Sequence, residues 1–112
     1  MERKIILKGI PASPGQVSGK VRILNSAKGI NGLAKGGIIV TDFLAPDFVF
    51  ALKSAPSISG IVTDGGGATC HAAIVARELK IPYIAGTLSA TQKLKNNMEI
   101  TIDGEKGIIY EA

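Results

Sequence analysis

Apolar and polar positions follow one another in short runs, broken by glycine, proline and small polar residues, the pattern of many short strands with a few helices between them. Residues 4–10, rich in isoleucine and leucine, read as a strand, and residues 16–24 alternate polar with apolar, so the chain is expected to open with a pair of strands. Between them Pro11, Ala12, Ser13, Pro14 and Gly15 read as a turn. Residues 25–35 are small and polar and read as a connector with one helical turn, and residues 37–40 form a short apolar strand. Pro46 suits the first turn of a helix reaching to about residue 54, with Phe48, Val49 and Leu52 facing inward.

Residues 58–63 predict a buried strand that delivers the chain into Asp64 and then Gly65, Gly66 and Gly67. Thr69 is placed to cap a helix from about 70 to 80, with a core-facing set among Ala73, Ile74, Ala76 and Leu79. His71, the only histidine, then falls in the first helical turn. A short strand over 81–85, a helical stretch over 87–95, a strand over 98–102 and a hairpin-like turn at 103–107 lead to a last strand, 108–110. The expectation is a single α/β domain across residues 1–112, strand-rich with two or three helices, without repeats or an internal boundary. Met1 and the short polar start look like a natural beginning, with an excised piece of a longer protein as the alternative.

Composition narrows the classes. In 112 residues, 46% hydrophobic and 20% charged is the balance of a globular domain able to bury a core, which argues against disorder. Thirteen basic residues against nine acidic give a net charge of +4, but the basic residues are scattered. Three phenylalanines and two tyrosines do not interleave with them as a stacking platform requires, so nucleic acid is not expected as a partner. One cysteine forms no internal disulfide, no leader pattern opens the chain, and no apolar run approaches the roughly 20 residues that span a bilayer. A cytoplasmic protein without membrane association is the default expectation.

The segment around His71 changes the picture most. Glycines let the backbone pass close to a tetrahedral anion, and the helix after them offers unpaired N–H groups and the positive end of its dipole. Imidazole is nucleophilic around neutral pH and forms a labile P–N bond, which suits a reversible phosphoryl acceptor. His71 is therefore the catalytic candidate. Thr69 or a backbone carbonyl is the candidate partner of the other ring nitrogen, and Gly65, Gly66, Gly67 and Ala72 form the phosphate-binding set. No second ligand stands at a helical spacing from His71, and Cys70 points to another face, so no metal site is expected and Cys70 reads as a small buried residue. Arg77, a turn and a half further on, is expected to pair on the surface or pack its stem. Asp64 either repels or orients the anion, or only accepts backbone N–H bonds in the turn.

The run Gly66, Gly67, Ala68, Thr69, Cys70, His71, Ala72, Ala73, Ile74, Val75, Ala76, Arg77 resembles the phosphohistidine signature of the phosphoenolpyruvate-utilising enzymes. That family includes phosphoenolpyruvate synthase, pyruvate phosphate dikinase and enzyme I of the sugar phosphotransferase system. The similarity continues through Gly9 to Gly15, Ser18 and Gly19, then Val40, Thr41, Asp42, Pro46 and Asp47, then Ile81, Pro82, Ala85 and Gly86, and finally Asp103, Gly104 and Gly107. It implies a compact, swivelling β/β/α domain of the phosphohistidine type. His71 would accept a phosphoryl group on Nε2 at one active site and donate it at another.

Cysteine before the histidine looks most like the synthase branch; Ala68 departs from it, since synthases commonly carry arginine there. Nothing resembles the nucleotide-binding domain or the phosphoenolpyruvate- and pyruvate-binding barrel, and no Walker-type loop is present. The implied role is a phosphotransferase component rather than a complete enzyme, working in trans with separate nucleotide-binding and phosphoenolpyruvate- or pyruvate-binding partners. It holds no cofactor itself, and magnesium is left to those partners. A non-catalytic regulatory or binding module that keeps the fold is the alternative, motivated by Ala68 and the lone domain.

Overall fold

The computed structural model describes residues 4–24, 37–44, 46–53 and 58–111; the connector expected over 25–35 lies outside them. In chain order the described elements are β1 (Ile5–Lys8), β2 (Ile10–Ser13), β3 (Gln16–Ile23), β4 (Gly37–Thr41), α1 (Pro46–Leu52), β5 (Ile58–Thr63), α2 (His71–Leu79), β6 (Tyr83–Ala85), α3 (Ala90–Lys93), β7 (Glu99–Asp103) and β8 (Ile108–Glu111). The strands hydrogen-bond in the order β1-β8-β7-β3-β4-β5-β6-β2. From β3 to β6 the neighbours are parallel; the remaining pairs are antiparallel.

Strand β3 belongs to both halves. Its residues Gln16 to Lys20 pair antiparallel with β7, while Val21 to Ile23 pair parallel with β4. The chain therefore folds into two sheets back to back, joined through one strand. Every residue of β4 is buried, as expected for a parallel strand covered on both faces. Alternation divides its side chains: Ile39 enters the core under α1 and α2 with Phe48, Ile61, Ala73, Ala76 and Tyr83, whereas Ile38 and Val40 enter the inter-sheet core with Val62, Ile84, Ile100 and Ile109. The layers are sheet, sheet, and the helices α1 and α2, the β/β/α arrangement that the resemblance implied, while Ala90 of α3 joins the inter-sheet core.

Three sequence expectations change. Residues 11–13 are not a turn: they belong to β2, whose Ile10 registers with Ala85 and Pro11 with Ile84 at an edge strand, where a missing proline N–H is tolerated. The opening strands do not pair with each other, because β1 adds to β8, β2 to β6 and β3 to β7 and β4. On α2 the buried set is Ala72, Ala73, Val75 and Ala76, while Ile74 and Leu79 are exposed. The inward face of α1, with Phe48, Val49 and Leu52, is as expected. Among the described residues no helix is long and apolar enough to cross a membrane.

Candidate functional site

Strand β5 ends at Thr63, and the chain then crosses the ends of β4 and β6. Asp64 N–H donates to Thr41 O at 3.1 Å, Gly65 N–H to Asp42 O at 2.8 Å, and Gly86 N–H to Gly65 O at 3.0 Å. The glycine segment is thus tied on both sides before it turns into α2. Gly66 has φ +85°, where a side chain is strained, and a Cβ there would stand 3.2 Å from the Tyr83 hydroxyl. Gly67 is different: a Cβ there would meet nothing within 4 Å, so its bareness leaves open space beside the loop.

The loop closes with Cys70 N–H donating to Gly67 O at 3.3 Å, and the first turn of α2 closes with Ala73 and Ile74 N–H donating to Cys70 O at 3.0 and 3.2 Å. Cys70, extended at φ −70° and ψ 158°, is the N-cap, and among the described residues no side chain caps this helix end. Thr69 is therefore not the cap: it lies one residue too early, is exposed, and makes no hydrogen bond to the His71 ring. His71 is the first helical residue and is exposed. Among the described residues, the N–H groups of Gly66, Gly67, His71 and Ala72 have no backbone acceptor. Ala72 itself is buried beneath them.

Asp64 and Arg77 each bond away from the imidazole. The Asp64 carboxylate accepts from Thr91 N–H at 3.0 Å and from the Thr91 hydroxyl at 2.5 Å, so it serves the start of α3 and not the glycine turn. Arg77 reaches back along α2, as helical side chains do, and donates to Ala68 O at 3.0 Å and Ala12 O at 2.5 Å. Its guanidinium ties the loop to β2, a link that spacing along the sequence did not indicate.

Tyr83, fully buried at 1% exposure, was also missed. Its hydroxyl is 2.9 Å from Thr63 Oγ1, and Thr63 Oγ1 donates to Gly65 O at 2.7 Å. Since the Thr63 hydroxyl has one proton and gives it to Gly65, Tyr83 must donate to Thr63. Burial pushes the Tyr83 phenol up to about 12, opposed by the hydrogen bond with Thr63 and helped by the neighbouring Cys70, so the phenol keeps its proton near neutral pH. Phe43, Leu44, Val49, Cys70, His71 and Tyr83 help line a mostly apolar groove of about 310 Å³, with the imidazole among its walls. Phe43 and Leu88 flank the loop with 61% and 83% of their surface exposed. Among the described residues no three His, Cys, Asp or Glu side chains gather as metal ligands would.

An exposed imidazole beside four uncommitted amides can receive a tetrahedral anion: the ring attacks while the N–H groups accept the charge. Residues 33–107 match the family described as PEP-utilising enzyme, mobile domain. Over 99% of the chain the sequence is 54% identical to a probable phosphoenolpyruvate synthase of Archaeoglobus fulgidus and 48% identical to the phosphoenolpyruvate synthase of Pyrococcus furiosus. It spans only 14% and 13% of those proteins' lengths. Among solved structures, Enzyme I superposes on 71% of the chain with a TM-score of 0.62 at 31% identity, covering 32% of that protein. The Thermococcus kodakaraensis aconitase X structure covers 95% of this chain and 97% of its own at a TM-score of 0.72 and 21% identity, a likeness of fold alone. The chain belongs to the mobile-domain family of the phosphoenolpyruvate-utilising enzymes.

Proposed function

We propose that this mobile domain carries a phosphoryl group on His71, taking it at a site that binds a nucleotide or phosphoenolpyruvate and delivering it to an acceptor bound elsewhere. The observation that carries this reading is the exposed His71 on the first residue of a helix that no side chain caps, after a glycine loop with free amides. His71 Nε2 attacks phosphorus while the bond to the leaving oxygen breaks and that oxygen keeps the electron pair. At the acceptor an oxygen attacks, the P–N bond breaks, and the pair returns to the ring. Main-chain N–H groups of Gly66, Gly67 and Ala72 hold the anion between the two events, while Gly65, expected with them, gives its N–H to Asp42 O. The chain brings no cofactor of its own in this reading; magnesium enters with the partner sites that bind nucleotide and phosphoenolpyruvate or pyruvate. Ala72 fits the phosphate-binding set through its backbone, whereas Thr69, exposed and outside the cap, stands free to meet a partner or the phosphate.

Incubation with labelled phosphoenolpyruvate or ATP, together with cell extract, is expected to place an acid-labile, alkali-stable label on the wild type and none on His71→Ala. An unlabelled wild type, under conditions that label a whole phosphoenolpyruvate synthase, would remove the proposal. Ala68 favours one second reading, a regulatory module, because the loop has no guanidinium of its own and that of Arg77 is held by two carbonyls. That reading requires a His71→Ala strain to behave as wild type.

A further inference from the structure

The buried side chains under the glycine loop form a directed chain of hydrogen bonds. Thr63 spends its one hydroxyl proton on Gly65 O, so the Tyr83 hydroxyl donates to Thr63 Oγ1, and the Cys70 side chain lies beside the phenol. The same Tyr83 oxygen and the Cys70 sulfur stand 3.2 and 3.8 Å from where a Gly66 Cβ would sit. One phenol is therefore in contact with three parts of the site: the carbonyl side of the loop through Thr63, the bend at Gly66, and the N-cap residue directly before His71. Thr63 and Tyr83 are 0% and 1% exposed, so water does not compete for the bond between their hydroxyls.

We propose that Tyr83 is a positioning residue for His71, its hydroxyl holding the glycine loop through Thr63 and the helix cap at Cys70 in the register that aims free amides and imidazole at one phosphate. This deepens the carrier reading and rests on it. In this role the phenol acts through Thr63 and the glycine loop, and the residues so held are the ones that meet the phosphate. Because its proton is retained to about pH 12, the direction of the chain does not change across the range in which the histidine works.

A small donor isolates the role from any partner. With phosphoramidate, His71 Nε2 attacks phosphorus, the P–N bond of the donor breaks, and ammonia leaves with the bonding pair. Phosphohistidine formation is followed by phosphorus NMR. Misplacing an attacking group by a fraction of an ångström costs rate, so Tyr83→Phe and Thr63→Val are each expected to slow loading about ten-fold per folded molecule. The double variant should be no slower than either single, since both cut one chain. Thr63→Ser, which keeps the hydroxyl, should load within about two-fold of wild type. The His71 ring resonances in nitrogen–proton spectra should move in the two slow variants and stay in Thr63→Ser.

Unchanged loading and unmoved His71 resonances in folded Tyr83→Phe and Thr63→Val, with only a lower melting temperature, would reduce Tyr83 to a packing residue. Should wild type and His71→Ala alike take no phosphate, the carrier reading falls first and this proposal with it. A wild type that loads beside variants that load equally well sinks the positioning role alone.

Discussion

Two helices begin beside the glycine loop, and they begin differently. At α3 the Asp64 carboxylate takes the Thr91 N–H and hydroxyl, and the Thr87 hydroxyl accepts the Ala90 N–H at 3.3 Å while donating to Thr63 O at 3.0 Å. That helix start is filled by the protein's own negative charge, as a purely structural helix end should be. At α2 no side chain among the described residues takes the place of Asp64, although the helix is longer and its dipole end stands at the surface. The same sequence that supplies a carboxylate at one start withholds it at the other, and the start left empty is the one that carries the histidine. An open helix end is thus a property of this site and not of the fold.

Exchanging the two solutions should have the largest effect. Cys70→Asp would give α2 the carboxylate cap it lacks; phosphoryl loading of His71 is expected to fall at least about 100-fold as the internal carboxylate occupies the amides and repels the anion. A capping aspartate stabilises by roughly 1 kcal/mol, so the melting temperature should hold. Loading that survives this substitution, measured by phosphorus NMR, would mean that the helix start does not receive the phosphate.

An intermediate effect separates the supports of the two ends. Tyr83 has a folded pKa of about 12 against an ordinary 10, so the folded state keeps a proton that the unfolded chain loses. Its contribution is complete below pH 10 and disappears as pH climbs towards 12. Two pKa units correspond to on the order of 2–3 kcal/mol. Denaturant unfolding at successive pH values should show wild type losing stability across pH 10–12 and converging on Tyr83→Phe, which lacks that descent. Parallel curves would show that the phenol is not held neutral by the fold.

The smallest change expected is at α3. Asp64→Ala should cost roughly 1–2 kcal/mol in chemical denaturation, with Asp64→Asn intermediate because the amide oxygen still accepts one bond. His71 loading should be affected far less than stability, and an equal loss of both would show that the two helix starts are coupled.

Much of this arrangement was legible in the residues. The apolar runs of β4 and β5, the glycines before a lone histidine and the proline at the start of α1 each have a local cause, and each stands where periodicity placed it. What was hidden depends on partners far along the chain. Pro11, Ala12 and Ser13 have turn chemistry but become strand because the edge of β6 is there to pair with. Thr69 has better capping chemistry than Cys70, yet the loop reaches its extended residue one position later. Ile74 and Leu79 are apolar yet exposed, because alanines on the neighbouring face let α2 lie close to the sheet. The bonds of Arg77 to Ala12 and of Tyr83 to Thr63 cross 65 and 20 residues, beyond any local pattern.

The first and last described strands lie side by side, with Ile5 registered against Tyr110 and Glu111 N–H bonded to Lys4 O at 2.8 Å. Any polypeptide joined at either end therefore leaves from one place, as two cords from a single knot.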